Sequence, residues 1–296
     1  MSHQHQHGTV SGRNILVTIV LNLGISLLQL IGGLISGSMA LLSDAAHNFS
    51  DVLSLIISYW AIRLGKREQT LKQTYGFKRA GIFAALINTS ILLVIAIILI
   101  WQAVIRLINP QPVEGMIVIV LAGAGILLNG VSILFIRTDA EKDINIRSAA
   151  LHLFADMLTS IAVLAGGIVI KLFGWTWIDS LLTIIIACYL LYSSWGIFYE
   201  AVRIFMQFTP SHIDIEAIAI SIRKIDGVKN VHHVHVWQLD ENDLMLEAHL
   251  DLNEDLRISQ FEIILDKVEN VLYGYGIYHF NIQPELFRKD QKELIT

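Results

Sequence analysis

Cysteine and charged residues are scarce in this sequence. Its one cysteine, Cys188, excludes an intrachain disulfide and a metal site built from several thiolates. Charged residues make up 16% of the chain and hydrophobic residues 54%, whereas about 25% charged residues is usual for soluble domains. The formal net charge of -5 is too small to indicate nucleic acid as a partner. We therefore expect a chain that lies largely in a membrane, in contact with lipid.

The apolar residues are concentrated in the first two thirds of the chain. Six runs are long enough to cross about 30 Å of hydrocarbon. They cover residues 14–36, 39–62, 81–108, 115–136, 149–173 and 178–206. The first run is longer than the core of a signal peptide, has no clear cleavage site and is followed at once by the second run. We therefore expect it to be retained as a membrane span.

Lysine and arginine are distributed unequally between the two sides of a six-span arrangement. Most lie before the first run, between the second and third, and between the fourth and fifth, whereas the other side has only Arg106 and Lys171. The positive-inside rule then places both termini in the cytoplasm. This predicts a histidine-containing N-terminal tail at residues 1–12, a six-helix membrane domain at 13–207 and a cytoplasmic domain at 208–296.

Two copies of one polar pattern interrupt the apolar runs. His47 and Asp51 stand four residues apart in the second run, and His152 and Asp156 do so in the fifth. This spacing places both members of a pair on one face of a helix, about 6 Å apart along its axis. A titratable side chain at membrane depth is rarely found without a polar partner or a bound ion. One such residue alone could be a hydrogen-bonding contact between helices, but two identical pairs favour an ion site.

The second and fifth spans run antiparallel in this arrangement. Each histidine would then face the aspartate of the other helix. Together the four side chains supply two imidazoles and two carboxylates, a four-coordinate set of the kind that Zn²⁺ accepts. Asp44 extends the same helix face outward from His47, so we expect it at the mouth of the site or among the groups that support its ligands.

The last part of the chain has the pattern of a small α+β domain. Apolar residues recur at helical spacing over residues 215–225 and 261–272. Between these helices, apolar and polar residues alternate over residues 244–252, which predicts a half-buried strand. Two more strands are predicted at 228–239 and 277–283. The predicted order is helix, strand, strand, helix, strand.

Histidines also cluster in this soluble part, which contains six of the eleven in the chain. His249 and His279 fall on the polar phase of their predicted strands, and Glu285 follows the last strand. A cytoplasmic metal site built from some of His232, His249, His279 and Glu285 is one interpretation, and ordinary half-exposed histidines are the other. His232 is in phase with the two valines that follow it, so the pattern does not by itself include it.

Several motifs in the chain resemble the cation diffusion facilitator family. They are LLSDAAHNFSD at residues 41–51, YGFKRAGIFAAL at 75–86, ALHLFAD at 150–156, GVKNVHHVHVWQL at 227–239, AHL at 248–250 and NIQPE at 281–285. The resemblance covers about residues 10–287. It is strongest to the bacterial zinc, cadmium and cobalt resistance branch and to the animal zinc transporters.

The resemblance implies a homodimer in a bacterial inner membrane that exports metal against entering protons. It also implies six spans per protomer and a ferredoxin-like cytoplasmic domain. The four membrane residues would form the transport site. For the cytoplasmic site it implies His232, His249 and Glu285, where Zn²⁺ would act as a regulator. Asp44 and His279, placed by helix face and strand phase, are candidate accessory residues.

The chemistry of the membrane residues explains an exchange of metal for protons. Zn²⁺ binds neutral imidazole and ionised carboxylate, so metal and protons compete for the same atoms. Two imidazoles disfavour Mg²⁺ and Ca²⁺, which prefer oxygen ligands. Zn²⁺, Cd²⁺, Co²⁺ and Ni²⁺ all remain open, with tetrahedral geometry favouring Zn²⁺.

Two other classes of function fit less well. An intramembrane metal hydrolase would be expected to carry an H-E-x-x-H motif or a general base beside its ligands, and the sequence has no such motif. A metal sensor without transport would not need ligands at membrane depth. The sequence therefore predicts a divalent metal efflux transporter, first of all a Zn²⁺/H⁺ antiporter working by alternating access, and not an enzyme.

Overall fold

Six long helices come first in the part of the chain that the structure describes. The computed structural model describes residues 12–65, 67–140, 144–240, 243–286, 288 and 292–295, so the histidines of the predicted N-terminal tail lie outside the described residues. The helices are α1 (Gly12–Ser36), α2 (Met39–Gly65), α3 (Ala80–Ile108), α4 (Gly115–Ala140), α5 (Ile144–Phe173) and α6 (Trp177–Phe205). Several extend beyond the predicted apolar runs, because a helix can continue into polar residues once it has formed.

Four of the described helices contain stretches long and apolar enough to cross a membrane. These stretches are Ala80–Ile108, Gly115–Phe135, Ala150–Phe173 and Trp177–Phe205, and α1 adds a shorter apolar stretch, Val20–Ser36. α2 carries polar side chains along its length, which lower its hydropathy. The helices therefore have clear membrane character, while the predicted count of six spans stays a prediction.

A short turn joins α1 to α2, and a residue of α6 supports it. Gly37 in the turn has a φ of +71°, which glycine adopts without steric penalty. The backbone N–H groups of Met39 and Ala40 donate to the Asp179 carboxylate at 2.7 and 3.3 Å, and the Ser38 hydroxyl donates to it as well. One carboxylate therefore caps α2 and attaches its first turn to α6.

α4 packs closely against α1 and α5. A Cβ atom on Gly115 would lie 2.9 Å from the backbone oxygen of Gly167 in α5. A Cβ atom on Gly125 would lie 2.9 Å from Nε2 of Gln29 and 3.1 Å from Oγ of Ser160. Gly115 thus permits a close approach of two backbones that a side chain would prevent, whereas a side chain at Gly125 would crowd the polar groups of Gln29 and Ser160.

The soluble part has the predicted order of elements. It comprises α7 (Ile215–Arg223), β1 (Val228–Gln238), β2 (Leu244–Leu252), α8 (Ile258–Gly274) and β3 (His279–Glu285). β2 is the central strand, antiparallel to β1 and parallel to β3. Apolar side chains from both helices and from one face of the sheet form a single core. The other face of the sheet carries the histidines of interest.

The last strand begins two residues later than predicted. Ile277 is fully buried, but its backbone N–H donates to the carbonyl of Leu272 in α8 at 3.0 Å. Gly276 precedes it with a φ of +78°. This is how helices commonly end, so the N–H of Ile277 closes the C-terminus of α8 and does not pair in the sheet.

A β-bulge in β1 decides which way its histidines face. Between His232, which pairs with His249, and His235, β1 has one residue more than β2. His233 takes up the extra length with a φ of +51°. The valines on either side of the bulge are buried in the core, whereas His232 lies on the polar face beside His249. The predicted phase of His232 with Val234 and Val236 is therefore wrong, because the bulge shifts the alternation by one residue.

Candidate metal centres

The four polar residues predicted to form a metal site lie together between α2 and α5. Nε2 of His152 is 3.0 Å from Oδ2 of Asp51, and Nε2 of His47 is 3.3 Å from Oδ1 of Asp156. The two pairs within single helices are separated by 3.7 and 3.8 Å. One ligand atom from each residue lies within 4.8 Å of all the others. We call this cluster the membrane quartet.

These spacings suit a tetrahedral metal ion. Bonds of about 2.0–2.1 Å place the ligand atoms of tetrahedral Zn²⁺ about 3.3 Å apart. The four nitrogen–oxygen distances of the quartet, measured to Oδ2 of Asp51 and to the nearer oxygen of Asp156 in each case, are 3.0 to 3.8 Å and lie on both sides of that value. Two imidazoles and two carboxylates also match the donor atoms that this ion prefers. The quartet therefore fits Zn²⁺ in both spacing and chemistry.

Asp156 is buried without the hydrogen bonds that a carboxylate normally makes. Its exposed fraction is 1%. Neither of its oxygens, nor Nδ1 of His47, makes a hydrogen bond of good geometry with any described residue. A buried carboxylate in this condition is costly unless a cation lies beside it. His152 is the open member of the quartet, with 44% of its side chain exposed.

Asp44 lies beside the quartet and is fully buried. Its Oδ2 accepts hydrogen bonds from Gln29 at 2.8 Å and Ser160 at 3.1 Å, and its Oδ1 accepts one from Thr159 at 2.9 Å. α1 and α5 therefore cover this carboxylate, and it does not stand at an exposed mouth. Thr159 and Ser160 lie one helical turn after Asp156 on α5. Because both bond to Asp44, this carboxylate is linked to the helix that carries two of the quartet residues without being one of the four.

The polar surroundings of the quartet include residues that sequence reasoning did not assign to it. Gln29 accepts a hydrogen bond from Asn48 at 3.2 Å while donating to Asp44. The ring of Tyr189 lies edge-on to His47, with centroids 6.4 Å apart. An amide in an apolar run is a usable signal for Gln29. No sequence signal marks Tyr189, because tyrosines are common in membrane helices and this one stands in no motif.

A second cluster lies on the polar face of the cytoplasmic sheet. It consists of His232, His249 and Glu285, and we call it the cytoplasmic cluster. Nε2 of His232 is 3.4 Å from Oε2 of Glu285, and Nδ1 of His249 is 2.9 Å from Oε1 of the same carboxylate. Burial lowers the pKa of His249, which favours the neutral imidazole that a metal ion requires.

Two neighbours of this cluster differ from expectation. Oδ2 of Asp251 lies 3.6 Å from Nδ1 of His232, and a carboxylate behind a metal-binding histidine commonly supports it. Sequence reasoning missed Asp251, although it shares a strand face with His249. His279 lies apart from the cluster: it is exposed at the start of β3, and its ring is 6.4 Å from that of Tyr75.

Comparison with known proteins gives matches over both parts of the chain. Residues 15–206 match the model of a cation efflux transmembrane domain, and residues 210–286 match that of the cytoplasmic domain of cation efflux proteins. A cadmium, cobalt and zinc/H(+)-K(+) antiporter of Bacillus subtilis is 35% identical over 287 residues, which is 96% of this chain and 92% of the relative.

Two other bacterial relatives are similar over nearly their full length. The zinc transporter ZitB of Pectobacterium atrosepticum is 35% identical over 296 residues, covering 98% of this chain and 91% of the relative. The metal cation efflux system protein CzcD of Cupriavidus metallidurans is 28% identical over 291 residues, covering 98% and 92%. The chain therefore belongs to the cation efflux family, the cation diffusion facilitators, as its motifs predicted.

Proposed function

We propose that this chain exports Zn²⁺ from the bacterial cytoplasm across the inner membrane in exchange for protons. The observation that carries this function is the buried Asp156 carboxylate, which lacks good hydrogen bonds and faces His47 at 3.3 Å. The names of the relatives make Zn²⁺ the first substrate to test, followed by Cd²⁺ and Co²⁺. Membership of a transporter family favours transport over catalysis.

The quartet can hold either a metal ion or protons. His152 lies within hydrogen-bonding distance of Asp51 across the helix interface, so a proton shared by this pair offsets the carboxylate charge. A metal ion needs the same lone pairs and must release such protons on binding. Two uncompensated carboxylates at membrane depth would be costly, which disfavours an empty, deprotonated site. Exchange of metal for protons follows if the site opens to each side in turn.

The proposed membrane arrangement has all six helices α1–α6 as spans and both termini in the cytoplasm. α2 would be stabilised as a span by the polar contacts that its side chains make within the protein. The domain boundaries stay as predicted, with a membrane domain at 13–207 and a cytoplasmic domain at 208–296. The ferredoxin-like assignment of the latter likewise stays a prediction.

The cytoplasmic domain is proposed to join two copies of the chain and to sense metal. The match to a cytoplasmic domain of cation efflux proteins supports this role. His232, His249 and Glu285 would bind Zn²⁺ there, as a regulatory ion distinct from the transported one. Metal that binds only one arrangement of the domain stabilises that arrangement by mass action.

Transport is tested in proteoliposomes with an acidic lumen. Outward movement of protons should drive Zn²⁺ into the lumen, and dyes for zinc and pH should report both fluxes together. Asp51→Asn and Asp156→Asn keep the side-chain shape but remove the carboxylate charge. We expect each to reduce zinc uptake to the level of protein-free vesicles.

The matched control is Asp266→Asn, which changes an exposed aspartate on α8. It should transport like the unaltered protein. Gradient-driven zinc uptake retained by both quartet variants would overturn the proposed site. Uptake that ignores the pH gradient would overturn antiport.

A further inference from the structure

A lysine near the end of the chain reaches into the cytoplasmic cluster. Nζ of Lys292 lies 3.0 Å from Oε2 of Glu285, 2.9 Å from Oδ1 of Asp251 and 3.3 Å from Nε2 of His232. A lysine ammonium can only donate hydrogen bonds, so all three atoms act as acceptors. Lys292 therefore uses the lone pairs of His232 and Glu285 that a metal ion would use.

The contact with Lys292 involves the same nitrogen of His232 that a metal ion would bind. A hydrogen bond from the ammonium to Nε2 requires that nitrogen to be unprotonated, so the other ring nitrogen, Nδ1, is the one that can carry a proton, and it lies 3.6 Å from Oδ2 of Asp251. A histidine that binds metal through one nitrogen commonly presents its other N–H to a carboxylate in this way. Replacing the ammonium with a metal ion would thus require neither a tautomer change nor rotation of the buried ring.

Backbone hydrogen bonds hold Lys292 at this position. The N–H groups of His233 and Val234, at the bulge of β1, donate to the carbonyls of Glu293 and Leu294 at 3.1 and 2.8 Å. Leu294 also packs against the apolar core of the domain. The segment 292–295 is therefore attached to β1, and a tethered group has a high effective concentration at its target.

The charges around Glu285 explain why the ammonium and a divalent ion exclude each other. Among the described residues here, Asp251 and Glu285 carry two negative charges, while Lys292 and Arg288 bring two positive ones, Arg288 contacting Oε1 of Glu285 at 3.1 Å. A divalent ion added to these four charges would lie a few ångströms from both cations, which would repel it. The ion needs the atoms that Lys292 holds, so Lys292 is the cation that must leave.

We propose that Lys292 is a built-in competitor for metal at the cytoplasmic cluster. Its ammonium fills the metal position when metal is scarce and is expelled when a divalent ion binds. This raises the zinc concentration at which the cluster fills and couples filling to release of the Lys292 side chain. The inference rests on the proposed cytoplasmic site and adds the group that metal replaces there.

The first test measures zinc affinity in the full chain, purified with Asp51→Asn and Asp156→Asn to disable the membrane quartet. In this background, Lys292→Gln should bind Zn²⁺ about tenfold more tightly, because a charge-assisted competitor is removed. Lys292→Arg keeps a cation and should retain weak binding. The matched control is Lys267→Gln, at an exposed lysine of α8, which should leave affinity unchanged.

The second test uses an amine-reactive label read by mass spectrometry. Zinc should raise the labelling of Lys292 several-fold while the labelling of Lys267 stays constant. Equal zinc affinity in the Lys292→Gln and Lys267→Gln proteins, or unchanged labelling of Lys292, would overturn the inference. His249→Ala distinguishes the proposed zinc site from the proposed competition by Lys292. If this variant no longer binds zinc, the site is supported even where the Lys292 variants contradict the competition. If it still binds zinc, the site itself fails.

Discussion

At the scale of residues, the identity of the ligands determines which metal the quartet prefers. His47 supplies a nitrogen whose Nε2 lies 3.3 Å from Oδ1 of Asp156. His47→Asp would leave one nitrogen and three oxygen donors, a harder set that suits Mn²⁺ better than the original one does. We expect transport of Mn²⁺ to rise relative to Zn²⁺ in a competition assay, with total zinc transport reduced.

His279→Asp is the control for this substitution, because His279 lies apart from both clusters. It should keep the metal preference of the unaltered protein. An unchanged order of metals in the His47→Asp protein would count against His47 as a ligand.

At the scale of elements, the start of α2 depends on a residue of α6. Asp179 is 2% exposed and accepts hydrogen bonds from the backbone of Met39 and Ala40. Removing the acceptor at a helix N-terminus costs about 0.5–2 kcal/mol. We therefore expect Asp179→Ala to lower the melting temperature of the detergent-purified protein. Asp179→Asn keeps one side-chain oxygen, so its melting temperature should lie between those of the unaltered protein and Asp179→Ala.

Asp255→Ala removes an exposed aspartate of the soluble part and serves as the control. It should melt with the unaltered protein. If Asp179→Ala has the same melting temperature as the unaltered protein, the cap contributes nothing measurable to the attachment of α2.

At the scale of the whole molecule, zinc should favour the dimer. The cytoplasmic cluster draws its ligands from β1, β2 and the end of β3, so an ion bound there would join three strands. If only the dimer presents this arrangement, zinc stabilises it by mass action. We expect the mass of the purified full chain, followed by light scattering on dilution, to remain that of a dimer to lower concentration with zinc than with a chelator.

The matched variant for this experiment is His249→Ala, which removes one ligand of the cluster. It should dimerise without responding to zinc. A zinc response that persists in this variant would assign the effect to another site, and a monomer under all conditions would contradict the proposed homodimer.

The long helices, the order of the elements that follow α6 and the four residues of the membrane quartet could all be predicted from the sequence. Apolar runs and periodic spacing are properties of neighbouring residues, so they can be read without tertiary contacts. Even the meeting of His152 with Asp51, 101 residues away in the chain, was expected from the antiparallel direction of two helices. This contact was predictable because helices that cross a membrane run either parallel or antiparallel to each other, which leaves few possible pairings.

Features that depend on one extra residue or on a distant segment could not be predicted from the sequence and became visible in the folded chain. The bulge at His233 turns His232 toward His249, and alternation alone could not reveal it. The burial of Asp44 depends on helices α1 and α5 closing over it. Lys292 reaches His232 across 60 residues because its segment returns to β1. Such contacts arise from packing between distant parts of the chain, and no local pattern encodes them.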